Sequence, residues 1–385
     1  MLIDIPMDVQ KSVIDFEYPE KCEIRSYKPT TKGNYVQVRR VMAALEEAEK
    51  PLICIGGGVF AAHAENEIRE LADLMQIPVI TTMMGISVFP DDDQLFCGMI
   101  GTHGVKMANA AVNECDVLFL VGARVGDRAV KTPLALEKTT KIIHIDIDPA
   151  EIGKNIGADL PLVGDAKLVL QQMTELAKPM KHDEWIAHIK TLGGERKYVE
   201  PAKGTVNPRV FIDRLAKKMP ANVTVVADVG QNQIWTCTEY KFRKEGRLLT
   251  SGGMGTMGYS VPAAIGAKMA DNSRATVAIC GDGAFQMSFM ELATAVQFGV
   301  DIKVVVMTNN RLGMVRELQT NGYHDRQTAV FLDGSPDFIK LAEAYGIPAM
   351  RVYDDDTMDK GIEMLAEHKG ICLVEVVVDK DMPTL

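Results

Sequence analysis

No stretch of this chain approaches the roughly 20 consecutive apolar residues that a helix needs to cross a bilayer, which argues against a membrane protein. Close CxxC pairs are missing too. Cys22, Cys54, Cys97, Cys115, Cys237, Cys280 and Cys372 stand far apart, several inside apolar runs where a thiol acts as a small buried hydrophobe. Neither a zinc site nor a disulfide framework is expected. There is no block of Lys and Arg, and the formal charge is −10, so the basic surface that nucleic-acid binding requires is lacking. The opening residues Met1-Leu2-Ile3-Asp4 carry an early acid and no basic segment, unlike a signal peptide, which places the protein in the cytoplasm. Small molecules and other protein chains remain as the candidate partners.

What is present is ordinary for a globular protein: 385 residues, 47% apolar and 24% charged, enough for about two domains at roughly 100–200 residues each. Residues up to Tyr35 are polar and interrupted by Pro19, Pro29 and Gly33, reading as an extended linker after a short strand at Leu2–Ile5. Apolar strands then alternate with amphipathic helices. Strands are predicted at Pro51–Ile55, Pro78–Thr81, Asp116–Val121 and Lys141–Ile145, with helices at Gln37–Glu49, Asn66–Met75 and Ala166–Ala177. A polar connection over 179–206 holds one helix, at Asp183–Thr191. A second alternation follows. It has strands at Val223–Ala227, Ala275–Cys280, Lys303–Thr308 and Cys372–Val378, and helices at Pro208–Lys218, Val261–Met269, Met290–Gln297, Pro336–Tyr345 and Met358–His368. Alternation of this kind means parallel sheets covered by helices, so the fold class is α/β with two doubly wound domains, 36–178 and 207–385.

The most informative segment is Ala275–Gly313. Two buried runs end in polar clusters, Gly281-Asp282-Gly283 and Asn309-Asn310, as adjacent parallel strands would. Carboxylate and amide oxygens at neighbouring strand ends are hard ligands suited to Mg²⁺, which is usually held together with phosphate groups. Gly-Asp-Gly is by itself also a common turn; the position after buried strands, where open α/β sheets bind ligands, favours the metal. Upstream, Ser251–Gly266 packs five glycines around Met254 and Met257, which reads as a cofactor-lining loop or as close strand-to-helix packing. Asp228-Val229-Gly230-Gln231-Asn232, at the end of another strand, suits phosphate or substrate hydrogen bonding, or else Asp228 and Asn232 cap the next helix.

With these segments in view, the chain resembles the large subunit of acetolactate synthase, a thiamine-diphosphate enzyme. The matching words in the second half are Gly230-Gln231-Asn232-Gln233-Ile234-Trp235, Ser251 through Tyr259, Gly281 through Met287, and Asn309 through Arg316. In the first half they are Gly56-Gly57-Gly58, Thr82 through Gly85, Gly98 through Gly104, Gly122 through Arg128, His144 through Pro149, and Gly164-Asp165-Ala166. The resemblance implies that Asp282, Asn309 and the Arg311 backbone carbonyl hold Mg²⁺, which holds the cofactor diphosphate. It implies that Met257 wedges beneath the cofactor and that Gly230, Gln231, Gly255, Gly283, Ala284, Gly313 and Met314 line it. For the first domain it implies FAD, with Gly57, Thr82, Met99, Gly101, His103, Gly122, Arg124, Arg128, Asp146 and Asp165 around it. Some relatives keep that fold without a flavin, and by residue type alone Arg124 and Arg128 read as surface ion pairs and His103 as a core histidine.

The implied reaction is decarboxylation of pyruvate and transfer of the hydroxyethyl unit to a second 2-keto acid, in branched-chain amino-acid biosynthesis. Another thiamine-diphosphate carboligase, of glyoxylate carboligase or sulfoacetaldehyde acetyltransferase type, and a non-catalytic cofactor-binding fragment stay open. The pattern departs at two places. Family members carry an N-terminal domain, with the glutamate that activates the cofactor, before the stretch that begins here. Residues 1–35 read as its remnant and no catalytic residue is assigned; a homo-oligomer or a complementing chain carrying that domain is expected, with a regulatory subunit besides, and activity is expected to require another chain to contribute the domain. Leu318 stands where the family commonly has the Trp that shapes the acceptor pocket.

Overall fold

The computed structural model describes residues 2–21, 24, 28–130, 132–194 and 198–385. Cys22 and residues 195–197 of the polar connection lie outside them.

The first half forms a six-stranded parallel sheet from β1 (Pro51–Ile55), β2 (Val79–Thr81), β3 (Phe96–Met99), β4 (Val117–Val121), β5 (Lys141–Asp146) and β6 (Leu160–Val163), in the order β3-β2-β1-β4-β5-β6. The second half repeats the plan with β7 (Thr224–Ala227), β8 (Arg247–Thr250), β9 (Thr276–Gly281), β10 (Lys303–Thr308), β11 (Ala349–Val352) and β12 (Cys372–Val377), ordered β11-β12-β10-β9-β7-β8. In each sheet one pair of neighbours leads away in opposite directions, β1 with β4 and β7 with β9. A crevice opens above the carboxyl ends of strands at such a switch point. The Gly56–Gly58 turn follows β1 and Gly122 follows β4, while Asp228 follows β7 and Asp282 follows β9.

Burial explains the strands. The interior strands β1, β4, β7 and β10 are buried at every residue, because helices cover both faces of a parallel sheet. Apolar clusters fill both faces of each sheet. Ile86 and Met99, from the first half, belong to the cluster built around Val225, Val305 and Val374 of the second. The halves are bonded as well as packed. Asp91 N–H donates to the Phe242 carbonyl at 2.8 Å while the Asp91 carboxylate accepts from Phe242 N–H at 2.9 Å. Leu248 N–H at the edge of the second sheet donates to Ser87 Oγ at 3.0 Å, and Arg247 pairs with Glu65 at 2.9 Å.

Several expectations need correction. Leu2–Ile5 forms no strand. These residues are exposed extended chain, followed by a short helix at Met7–Lys11 with none of its residues buried. A strand needs a neighbour to satisfy its N–H and C=O groups, and among the described residues none lies beside it. Strands β3, β6, β8 and β11 and helices Lys106–Glu114, Gln231–Glu239 and Gly313–Gly322 are additions to the sequence reading. The six described cysteines are free and buried, and burial pushes the Cys54, Cys115 and Cys237 thiols up to about 12. Among the described residues no helix is long and apolar enough to cross a membrane.

Candidate active site

Asp282 begins a short helix, Asp282–Phe285, at the end of β9, and its side chain is 1% exposed. Its Oδ1 accepts from Gly283 N–H at 2.8 Å, and its Oδ2 from Asn309 N–H at 3.2 Å and Asn310 N–H at 2.6 Å. The two polar clusters thus meet as adjacent strand ends should. Burial outweighs these three backbone donors and raises the carboxyl pKa from 3.8 to about 6. A buried carboxylate left in this condition is short of positive charge, and a divalent cation would provide it.

Asn309, directly after β10, turns its Oδ1 to accept from Arg311 N–H at 3.0 Å and its Nδ2 to donate to Gln231 Oε1 at 3.3 Å. The turn carrying the Arg311 carbonyl is pinned across to 330–332 by Leu312 N–H to Val330 O at 2.9 Å and Leu332 N–H to Asn310 O at 3.0 Å. An amide oxygen, a carboxylate and a nearby carbonyl are all hard donors of the kind Mg²⁺ takes. They fit the group the sequence implies. Among the described residues no cluster of three or more His, Cys, Asp or Glu gathers elsewhere as a metal cage.

Glycine is called for at two points around the site, by backbone conformation at one and by crowding side chains at the other. Gly230 has φ 143°, open in practice only to glycine, and it starts the helix Gln231–Glu239. A Cβ on Gly313 would lie 1.9 Å from Gln231 Oε1. Met257 lies over Gly283, its Cε 3.4 Å from where a Cβ would stand there, and Ala284 is buried in the core beneath. The glycines of 251–258 divide between the two readings the sequence allowed. Gly252 packs against Met84 of the first half and Gly258 against Met287, whereas Gly253 and Gly255 face open space. Asp228 also resolves. Its carboxylate accepts from Gly258 N–H at 3.0 Å and Ser260 N–H at 2.8 Å, so it holds the glycine loop and the start of helix Ser260–Ala270, not the helix that follows it in sequence. Asn232 Nδ2 donates to the Asp228 and Ile279 carbonyls at 2.8 and 3.2 Å, tying β7 to β9.

A cavity of about 830 Å³ runs from this region to the crevice of the first sheet. Its walls include Gly255 and Met314 on one side and Gly57, Thr82, Met99, His103, Gly122, Arg124 and Arg128 on the other. Gly56 and Gly122 approach so closely that a Cβ on Gly56 would lie 2.2 Å from the Gly122 carbonyl oxygen. Among the described residues neither Arg124 nor Arg128 makes an ion pair, so the surface-pair alternative falls away and both guanidiniums remain available to an anion. These features fit a dinucleotide. Gly101, with φ 113°, stands behind the wall, its would-be Cβ 2.4 Å from the Arg128 carbonyl oxygen. Asp146 and Asp165 are not in the wall: Asp146 Oδ1 accepts from Asp148 N–H at 2.9 Å, and Asp165 caps the helix Ala166–Thr174 through Leu168 N–H at 3.2 Å.

Sequence reasoning passed over Glu317 and Gln233. Gln233 donates to Thr250 Oγ1 at 2.6 Å, and Glu317 accepts from Gln231 Nε2 at 3.0 Å. Neither stands in a local pattern that signals its partner.

Comparison with known proteins agrees with this geometry. The family described as thiamine pyrophosphate enzyme, central domain, matches residues 38–173, and thiamine pyrophosphate enzyme, C-terminal TPP binding domain, matches 228–376. The chain is 40% identical to a probable acetolactate synthase large subunit of Methanocaldococcus jannaschii, with 98% of this chain and 66% of that protein covered. It is 39% identical to an acetolactate synthase large subunit of Corynebacterium glutamicum, covering 99% of this chain and 63% of that one. With an acetolactate synthase of Arthrospira platensis it shares 39% identity over 99% of its own length and 68% of the relative. The chain spans about two thirds of the length of the curated relatives it matches. By these matches, the chain belongs to the acetolactate synthase family of thiamine pyrophosphate enzymes.

Proposed function

We propose that this chain takes part in acetolactate synthesis: decarboxylation of pyruvate and transfer of the two-carbon unit to a second 2-keto acid. The observation that carries this reading is the buried Asp282 carboxylate bonded to the backbone of Asn309 and Asn310, in a chain of this family. When bound, thiamine diphosphate supplies the carbanion-stabilising chemistry that decarboxylation needs.

In this reading Asp282, Asn309 and the Arg311 carbonyl hold Mg²⁺. The backbones of Gly230, Gly283 and Gly313 let the diphosphate approach, Gln231, Gly255, Ala284 and Met314 line the cofactor, and Met257 supports it from below. FAD occupies the crevice of the first domain, its pyrophosphate on Arg124 and Arg128 and its rings among Gly57, Thr82, Met99, His103 and Gly122, with Gly101, Asp146 and Asp165 shaping the surrounding loops. The domains run 36–178 and 207–385, joined by 179–206. The protein works in the cytoplasm. Relatives named as large subunits support a small, regulatory partner as well.

Product analysis tests the reading. With pyruvate alone, Mg²⁺, thiamine diphosphate and any partner chains that co-purify with the protein, acetolactate should accumulate. Cofactor binding without acetolactate would overturn it.

A further inference from the structure

Gln231 faces two ways. Its Nε2 is surrounded by acceptors: Glu317 Oε2 at 3.0 Å, the Met382 carbonyl at 2.9 Å and Thr384 Oγ1 at 3.3 Å. Turned about, its oxygen would face a carboxylate and a carbonyl, and both contacts would be repulsive. The network therefore admits one orientation. With Nε2 committed, Oε1 is left to accept from Asn309 Nδ2 at 3.3 Å. That bond in turn fixes Asn309. Its Nδ2 faces Gln231 and its Oδ1 faces the Arg311 N–H at 3.0 Å, with one lone pair still free.

Glu317 is itself held. Both of its oxygens accept from Thr384 N–H at 3.2 Å, and the Thr384 hydroxyl donates to Oε2. Thr384 is 2% exposed, so its end of these bonds is buried, and the same segment is anchored by Trp235 Nε1 donating to the Pro383 carbonyl at 3.1 Å.

We propose that Glu317, held by Thr384, is a positioning residue for the metal site: it orients the Gln231 amide, which orients the Asn309 amide with its oxygen toward the cation. The inference rests on Asp282 and Asn309 holding a divalent cation. Hydrogen-bond partners one step behind a ligand commonly change metal affinity by roughly 10- to 100-fold when removed. Here the chain is two amides long and starts from a charge, which makes its first bond the strongest in the series.

The test is a set of Mg²⁺ titrations on the full chain at fixed thiamine diphosphate, read by calorimetry, with melting curves to establish folding. Glu317→Ala, one bond further back, should raise the Mg²⁺ concentration needed for half-saturation by roughly 10-fold, the lower end of that range, with thiamine-diphosphate affinity restored once Mg²⁺ is in excess. Glu317→Gln keeps an acceptor oxygen without the charge and should show a smaller rise; Thr384→Val, which keeps the backbone N–H, should show the smallest. Asp282→Ala serves as the reference that loses the metal outright. If Asp282→Ala abolishes Mg²⁺-dependent binding and Glu317→Ala leaves it unchanged, the positioning role is wrong and the metal site stands. If excess Mg²⁺ does not rescue a folded Glu317→Ala variant, Glu317 serves the scaffold and the proposal fails. No Mg²⁺-dependent binding by the unaltered chain, or wild-type binding by Asp282→Ala, would overturn the metal site and this inference together.

Discussion

At the cavity end of the first sheet stand Gly57, Thr82, Gly122 and two guanidiniums that hold no carboxylate, while at the same end of the second stand Asp282 and Asn309, each bonded to its neighbours. Both crevices lie at the switch point of a doubly wound sheet, so topology does not account for the contrast. The charge each must receive does. Exposed arginines can stay hydrated until an anion binds, at little cost on a partly open surface. A buried carboxylate meant for a cation has no such freedom, because burial raises its pKa to about 6 and any misplaced acceptor beside it would repel it further. In the proposed reading the second site would therefore be oriented in advance through Gln231 and Glu317, and the first mainly by its ligand. Damage to the second should spread through the network, and damage to the first should remain local.

Among substitutions that leave Asp282 in place, the largest effect is expected at Gly313. A methyl group there would stand 1.9 Å from Gln231 Oε1, so Gly313→Ala must expel the amide that orients Asn309. Thiamine-diphosphate binding with Mg²⁺ should fall by at least about 100-fold, and overpacking should cost roughly 1–3 kcal/mol in urea unfolding. Binding within a few-fold of wild type would remove the contrast between the two sites.

A smaller loss is expected in the first crevice. Arg124→Ala and Arg128→Ala should each weaken FAD by roughly 10-fold, the worth of a hydrogen bond to a charged group, in a titration followed by flavin fluorescence. Thermal stability and thiamine-diphosphate binding should not change. If either substitution also disturbed the second site, the first would be as tightly coupled as the second.

The smallest effect concerns His144, inside β5 and 1% exposed. Burial lowers its pKa from 6.5, against the opposing pull of Asp146. An unfolded chain then binds a proton that the folded one refuses. The stability His144 contributes is complete above pH 6.5 and is lost as pH falls through the lowered value, at up to about 1.4 kcal/mol per pH unit. His144→Leu should flatten the fall in unfolding free energy between pH 7 and pH 5 without changing either site; parallel pH profiles for the two proteins would contradict this.

How much of this was visible in the sequence follows the same division between apolar and polar burial. Strands such as Val304–Met307, covered on both faces, must be apolar at every position, and the run announces itself. The strands that escaped notice are β3, β6, β8 and β11, all at sheet edges. Each is four residues long with half-buried or exposed positions beside its buried ones, as in Leu160–Val163, where a proline sits in the middle. Helix Gln231–Glu239 was hidden for another reason. All nine of its residues are buried although most are polar, their side chains satisfied by Asp228, Thr250, Arg209 and the helix itself, so no apolar stripe marks it. The Asp282 and Asn309 pair was legible because each ends a readable strand. Glu317 was not, since its bonds to Gln231 and Thr384 join residues 86 and 67 positions apart and leave no trace in local spacing.

Whether Asp282 anchors a metal-bound diphosphate is decided by calorimetric titration of thiamine diphosphate into the wild-type chain and Asp282→Ala, each with and without Mg²⁺. Mg²⁺-dependent binding by the wild type and none detectable by the variant are expected, with both proteins folded by melting curve. Equal affinity in the two proteins, or wild-type affinity indifferent to Mg²⁺, would contradict that anchoring role.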